Sequence, residues 1–157
     1  MSTNRFLTLL RTLENHEVEF LVVGGVAAVL HGAPVTTFDL DALIEVNEMN
    51  AERALGALQE LDARFRERRE LRPSKADLVA GGHLLLLTRE GPLDLLGFVG
   101  ADHRFEELAT NAQTMEVAGL QVRVLGLEDL IRVNRELNRA KDRAVLPILE
   151  ALRKRGG

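Results

Sequence analysis

At 157 residues the chain has the length of one domain and can bury a substantial core. Its formal net charge of −4 excludes a global basic field that draws on nucleic acid or membranes, and the lack of cysteine excludes disulfides and thiol chemistry. No apolar run approaches the roughly 20 residues that span a bilayer. Arg5, Arg11 and Glu14 interrupt the apolar N-terminal residues and argue against a signal peptide, so a cytoplasmic location is expected.

In chain order, residues 4–15 carry Phe6, Leu9, Leu10 and Leu13 at helical spacing and predict an amphipathic helix. Residues 20–23 are apolar and partly β-branched, which predicts a short buried strand. Gly24 and Gly25 follow. Without Cβ atoms they tolerate unusual dihedrals and let an anion approach the backbone. Residues 26–31 predict the first turns of a helix, whose free N–H groups suit a phosphate. A plain strand-to-helix turn gives the same pattern.

Asp39 and Asp41 lie fourteen and sixteen residues beyond Gly25, inside an alternating run over 38–46 that predicts a strand. Side chains two apart on a strand share a face, so the two carboxylates point the same way, about 7 Å apart at Cα. Like charges that close oppose folding unless one takes a proton or a divalent cation lies between them. Hard oxygen ligands suit magnesium or manganese. The alternative is a solvated strand end with two surface acids.

Residues 50–61 predict a second amphipathic helix with Asn47 as its candidate cap. Residues 64–72 hold five Arg, interleaved with Glu67 and Glu70. Such a run reads either as a solvated strand edge or loop or as a contact for nucleic-acid phosphates. With six Phe and no Tyr or Trp, aromatic platforms for stacked bases are scarce. Residues 83–88 and 93–99 predict two strands joined by a turn over 89–92. Asp94 is the one charge in the second of them. A lone acid in a buried strand is costly unless it is paired or metal-bound, or it reaches solvent at an edge. Residues 102–110 predict a short helix, with Asp102 near its start. Residues 114–117 and 120–125 predict a hairpin around Ala118-Gly119, and 128–137 and 142–154 predict two closing helices. Pro147 is expected to kink or shift the last helix. His31, His83 and His103 occur singly, without the spacing of zinc ligands.

Gly24-Gly25, His31-Gly32-Ala33-Pro34, Thr37-Phe38-Asp39-Leu40-Asp41 and Leu93-Asp94-Leu95-Leu96 together resemble the nucleotidyltransferase superfamily with the DNA polymerase β-like palm. More narrowly, the chain is similar to small prokaryotic nucleotidyltransferases that include toxin-like and antibiotic-modifying members. The resemblance extends over residues 16–152 and takes in the segments 122–131 and 139–142. It implies an α/β fold of the α+β type: one domain over 1–157, a small mixed palm-like sheet flanked by helices, and closing helices over about 126–155.

The resemblance implies transfer of a nucleoside monophosphate from a nucleoside triphosphate to an acceptor hydroxyl on a small molecule, an RNA end or a protein. Asp39, Asp41 and Asp94 become the catalytic carboxylates and the ligands of Mg2+ or Mn2+. Gly24, Gly25, Thr37, Arg139 and Lys141 become the nucleotide-binding set. A toxin–antitoxin setting, a protein partner or a homodimer is compatible with it. Two positions depart from the family pattern: Val35 and Asn134 stand where basic residues are usual. Arg132, Arg135, Arg139 and Lys141 are the nearby cations that compensate, unless they form an ordinary charged helix face. The alternative function is a nucleotide-sensing or protein-binding module of the same fold without turnover, or a subunit whose site a second chain completes.

Overall fold

β-branched and leucine-rich segments form the centre of a mixed seven-stranded sheet, and amphipathic segments cover it. The computed structural model describes residues 3–156. In chain order the elements are α1 (Thr3–Asn15), β1 (Phe20–Val23), α2 (Gly24–Leu30), β2 (Leu40–Ile44), α3 (Glu48–Glu60), β3 (Arg64–Phe65), α4 (Lys75–Ala80), β4 (His83–Thr88), β5 (Gly91–Leu96), α5 (Phe105–Ala109), β6 (Gln113–Val117), β7 (Leu120–Val124), α6 (Leu127–Leu137) and α7 (Ala140–Gly156). The sheet order is β3-β4-β5-β2-β1-β7-β6. β1 is antiparallel to β2 and parallel to β7, and β2 is parallel to β5. The α/β architecture with a small mixed sheet and flanking helices agrees with the expectation.

β1, β2 and β5 sit at or next to the middle of the sheet and are almost wholly buried, as their continuous apolar runs dictate. Leu21, Leu40, Leu43, Leu93 and Leu95 are all fully enclosed. At roughly 25 cal/mol per Å² of apolar surface, such side chains contribute about 1.5–3 kcal/mol each. α2 packs on β1 and β2 and meets α6, which in turn packs against α7. Asn50, only 2% exposed, ties three elements together. Its amide donates to Glu19 O and Glu45 O at 3.1 and 2.7 Å, and its Oδ1 accepts from Glu19 N at 2.7 Å.

Several boundaries differ from the expectation. β2 begins at Leu40, so Asp39 and the exposed Phe38 precede the strand. α2 begins at Gly24, two residues early, because Gly24 takes φ +65° and turns the chain straight from β1 into the helix. The β4–β5 turn is confined to Arg89-Glu90, since Gly91 and Pro92 pair with Thr88 and Leu87. α5 begins at Phe105 with Arg104 at its cap, so Asp102 lies outside it. α4 was not expected at all. Ser74 and Asp77 form a reciprocal capping box there, a local signal that the sequence does carry. Asn47 caps α3 as expected, accepting from Asn50 N at 2.8 Å. α7 continues through Pro147, which is exposed, so the carbonyl left without a helical partner can reach water.

Candidate active site

Strand register assembles the acidic cluster. Asp41 of β2 lies directly beside Asp94 of β5, and Asp94 lies directly opposite Leu85 of β4. Direct partners share a sheet face, so Asp41, Asp94 and Leu85 form one row across three strands. Asp39 enters this face from just before β2. A carboxylate oxygen from each of Asp39, Asp41 and Asp94 lies within 4.8 Å of the others. Two of these three acids came from one short motif. The third, 53 positions further along the chain from Asp41, is brought in by parallel pairing.

The environment is unfavourable for three ionised carboxylates. Asp94 is only 9% exposed, and Asp41 Oδ1 is buried without a hydrogen-bond partner. Burial, then the negative charges of Asp94 and Asp39, push the Asp41 carboxyl up to about 7, against the opposing pull of Lys141. Burial also raises Asp94, with Arg66 acting in the other direction. An orphaned buried oxygen beside two further hard oxygen donors fits a divalent cation of the magnesium or manganese type.

Both glycines are required by close approach. Gly24 has φ +65°, and a Cβ on it would overlap the Asp41 carboxylate. A Cβ on Gly25 would lie 2.5 Å from Thr37 Oγ1. The pair therefore packs its backbone against the acids on one side and Thr37 on the other. All of these residues line a cavity of about 720 Å³ between the acidic face of the sheet and α6 and α7. That volume lies within the range of small-molecule sites.

The nucleotide-binding set expected from the sequence is brought together. Gly24, Gly25, Thr37, Arg139 and Lys141 all line the cavity. Arg139 is held there by a two-point fork on the buried Asp142, with Nε to Oδ2 at 2.6 Å and Nη2 to Oδ1 at 3.2 Å. Among the described residues Lys141 makes no ion pair. Val35 and Asn134, the two departures from the family pattern, also line the wall. Neither Arg132 nor Arg135 lines the cavity. Arg132 pairs with Glu107 and Asp129, and Arg135 with Glu150, on the outer side of α6. These two form an ordinary charged face. Leu137 is 36% exposed and borders the cavity.

Arg66 lines the cavity although the sequence reading did not assign it to the site. Arg66 belongs to the arginine-rich run over 64–72, read as a solvated edge or a phosphate contact. Most of that run is solvated: Arg68 pairs with Glu70, and Arg64 and Arg72 pair with Asp62. Arg66 instead donates from Nη2 to Asp94 Oδ1 and, at 3.1 Å, to Leu86 O, and its Nη1 is 4.0 Å from Asp39 Oδ2. Its amide donates to Leu85 O at 2.9 Å, which extends the row of acids beyond β4. The available signal was its position just past a two-residue strand. Period two separates it from Phe65 and Glu67, but only tertiary pairing shows which face it takes.

His31 Nε2 bonds Leu125 O at 2.7 Å, His83 stacks on Phe98 with ring centroids 4.5 Å apart, and His103 faces two glutamates. Among the described residues none joins a metal-ligand cluster.

With this geometry established, comparison with solved structures shows the fold. A protein of Thermotoga maritima provisionally described as a nucleotidyltransferase superposes with a TM-score of 0.61 at 18% identity, over 94% of this chain and 93% of that one. One from H. pylori with the same provisional description aligns with a TM-score of 0.44 at 13% identity, over 85% of this chain and 59% of that one. No family model matches the chain, and no curated protein does. The chain has the nucleotidyltransferase-like fold. No described helix is long and apolar enough to cross a membrane.

Proposed function

We propose that this protein transfers a nucleoside monophosphate from a nucleoside triphosphate to an acceptor hydroxyl, with divalent cations held by Asp39, Asp41 and Asp94. The observation that carries this reading is the convergence of those three carboxylates within 4.8 Å at the foot of a cavity, with a buried Asp41 oxygen left unpartnered. When bound, the metal supplies charge neutralisation for the triphosphate and activation of the attacking oxygen.

The chain's own residues do the rest. Gly24 and Gly25 expose backbone to the phosphates, and Thr37 offers a hydroxyl beside them. Lys141 brings a positive charge to the opposite wall, and Arg139 is positioned by Asp142. Asp94 is the side chain assigned to accept the acceptor's proton, because burial raises its affinity for one. Positioning and charge stabilisation together lower the barrier. The acceptor is an alcohol on a small molecule, an RNA end or a protein, and a toxin–antitoxin setting is compatible with the site.

Val35 and Asn134 favour a second reading. With no cation at either position of the wall, the same site binds a metal-nucleotide and leaves it intact, as a sensing or protein-docking module.

Calorimetric titration of the four nucleoside triphosphates, with and without Mg2+, tests both readings. Metal-dependent binding by wild type that is lost in Asp39→Asn/Asp41→Asn is expected, and pyrophosphate release in an acceptor screen then separates enzyme from sensor. A folded wild type that binds none of the four overturns the assigned site.

A further inference from the structure

Three cations line the cavity, and they are held differently. Arg139 sits in a two-point fork on Asp142, reinforced by its own backbone amide at 3.0 Å from Asp142 Oδ2. That geometry is the strong, planar form of guanidinium recognition. Lys141 stands without an ion pair among the described residues. Arg66 is different from both. It reaches Asp94 through one nitrogen, stands 4.0 Å from Asp39, and leaves its Nε buried without a partner. Its other clear bond is to a backbone carbonyl, Leu86 O. The guanidinium is therefore lodged among the acids with part of its donor capacity unused.

We propose that Arg66 is an exchangeable internal counter-ion: it occupies the acidic cluster in the metal-free protein and gives up Asp94 and Asp39 when a divalent cation takes them. The inference rests on the metal reading above. Its physical basis is competition for the same oxygens. A fixed positive charge hydrogen-bonded to Asp94 and 4.0 Å from Asp39 repels an incoming divalent ion, and in a partly buried site that repulsion is weakly screened. Without any cation, Asp41 and the buried Asp94 face each other with Asp39 close by, which is the cost that Arg66 offsets. A released guanidinium then stands at the β4 side of the cavity, across the acids from Gly24 and Gly25. It is free there to meet an anionic group on whatever binds beside Asp94. Metal loading and arrival of such a group are thereby coupled, because each favours the position of Arg66 that suits the other.

Mn2+ titration by calorimetry at about pH 8, above the value of about 7 to which the Asp41 carboxyl is raised, tests this on wild type, Arg66→Gln and Asp94→Asn. The expected result is affinity for Mn2+ about tenfold or more higher in Arg66→Gln than in wild type, and loss of binding in Asp94→Asn. Unchanged or weaker Mn2+ binding by Arg66→Gln, with wild type binding normally, overturns the inference and leaves the metal site standing. Absence of Mn2+ binding in both wild type and Arg66→Gln overturns the metal reading and the inference with it. If Arg66→Gln does not fold, the wild-type protein supplies the answer. The Arg66 side-chain nitrogen resonances, assigned by their loss in Arg66→Lys, should move on saturation with Mg2+ while those of Arg139 stay in place. Unmoved Arg66 resonances at saturation overturn the inference.

Discussion

Asp41 concentrates the conflict between stability and chemistry in this protein. Its carboxyl is half-enclosed, one oxygen has no partner, and its neighbours are two further acids. Burial and the two neighbouring acids raise this carboxyl from the ordinary 3.8 to about 7, which works against the ionised form. Because the folded protein holds this proton more tightly than the unfolded chain does, ionisation of Asp41 destabilises the metal-free fold as pH rises from about 4 to about 7. Asp41→Asn should therefore stabilise the metal-free protein by on the order of 2 kcal/mol above about pH 7, with the gain vanishing near pH 4. Urea unfolding across that range in a chelator checks it. A variant less stable than wild type at neutral pH contradicts the account. The sequence shows Asp39 and Asp41 on one face, but it does not show their burial. Spacing fixes direction along a strand, and enclosure depends on what packs above it.

At the scale of elements, the segment between β5 and α5 is fastened to α6 by His103. Its Nδ1 is 3.0 Å from Glu107 Oε2 and its Nε2 is 2.8 Å from Glu136 Oε1, while Glu136 Oε1 also accepts from Ala101 N at 3.0 Å. Both ring nitrogens face acceptors, so the imidazolium is the form that satisfies them. The two glutamates hold the His103 pKa above its usual 6.5. The contribution is complete below about pH 6.5 and is lost as pH rises through the folded value. His103→Gln is expected to lower the thermal midpoint distinctly at about pH 5 and little at about pH 9. An equal loss at both pH values would show that the fastening does not depend on the imidazolium charge. Elements themselves were largely readable from periodicity. α4 was the exception, since six residues carry too little apolar pattern to register against the surrounding loop.

For the whole molecule, metal and nucleotide are expected to act as stabilisers, because only the folded chain brings β2 and β5 together. Saturating Mg2+ or Mn2+, at about a hundred times its dissociation constant, should add about 2.7 kcal/mol to unfolding. The shift should shrink as pH falls below about 7, where Asp41 retains its proton. Asp39→Asn/Asp41→Asn should show no shift at any pH. Differential scanning calorimetry of both proteins, with metal and with chelator, measures it. A metal-induced rise that survives in the double variant would place the stabilising ion elsewhere.

The composition of the core, the α/β alternation, the glycine turn after β1 and the three acids were all legible along the chain. Each of these is written in local pattern: runs of apolar residues, missing Cβ atoms and charges where strands should be apolar. Packing and strand pairing set Asp94 beside Asp41, keep Arg132 and Arg135 off the cavity, and bring Arg66 into the acids from the edge of the sheet. Those facts depend on register and strand order, which join residues far apart in the chain. The arginine-rich run shows the reason most plainly. Its composition is that of a solvated loop, and pairing of Arg64 and Phe65 with β4 is what turns one of its five arginines inward.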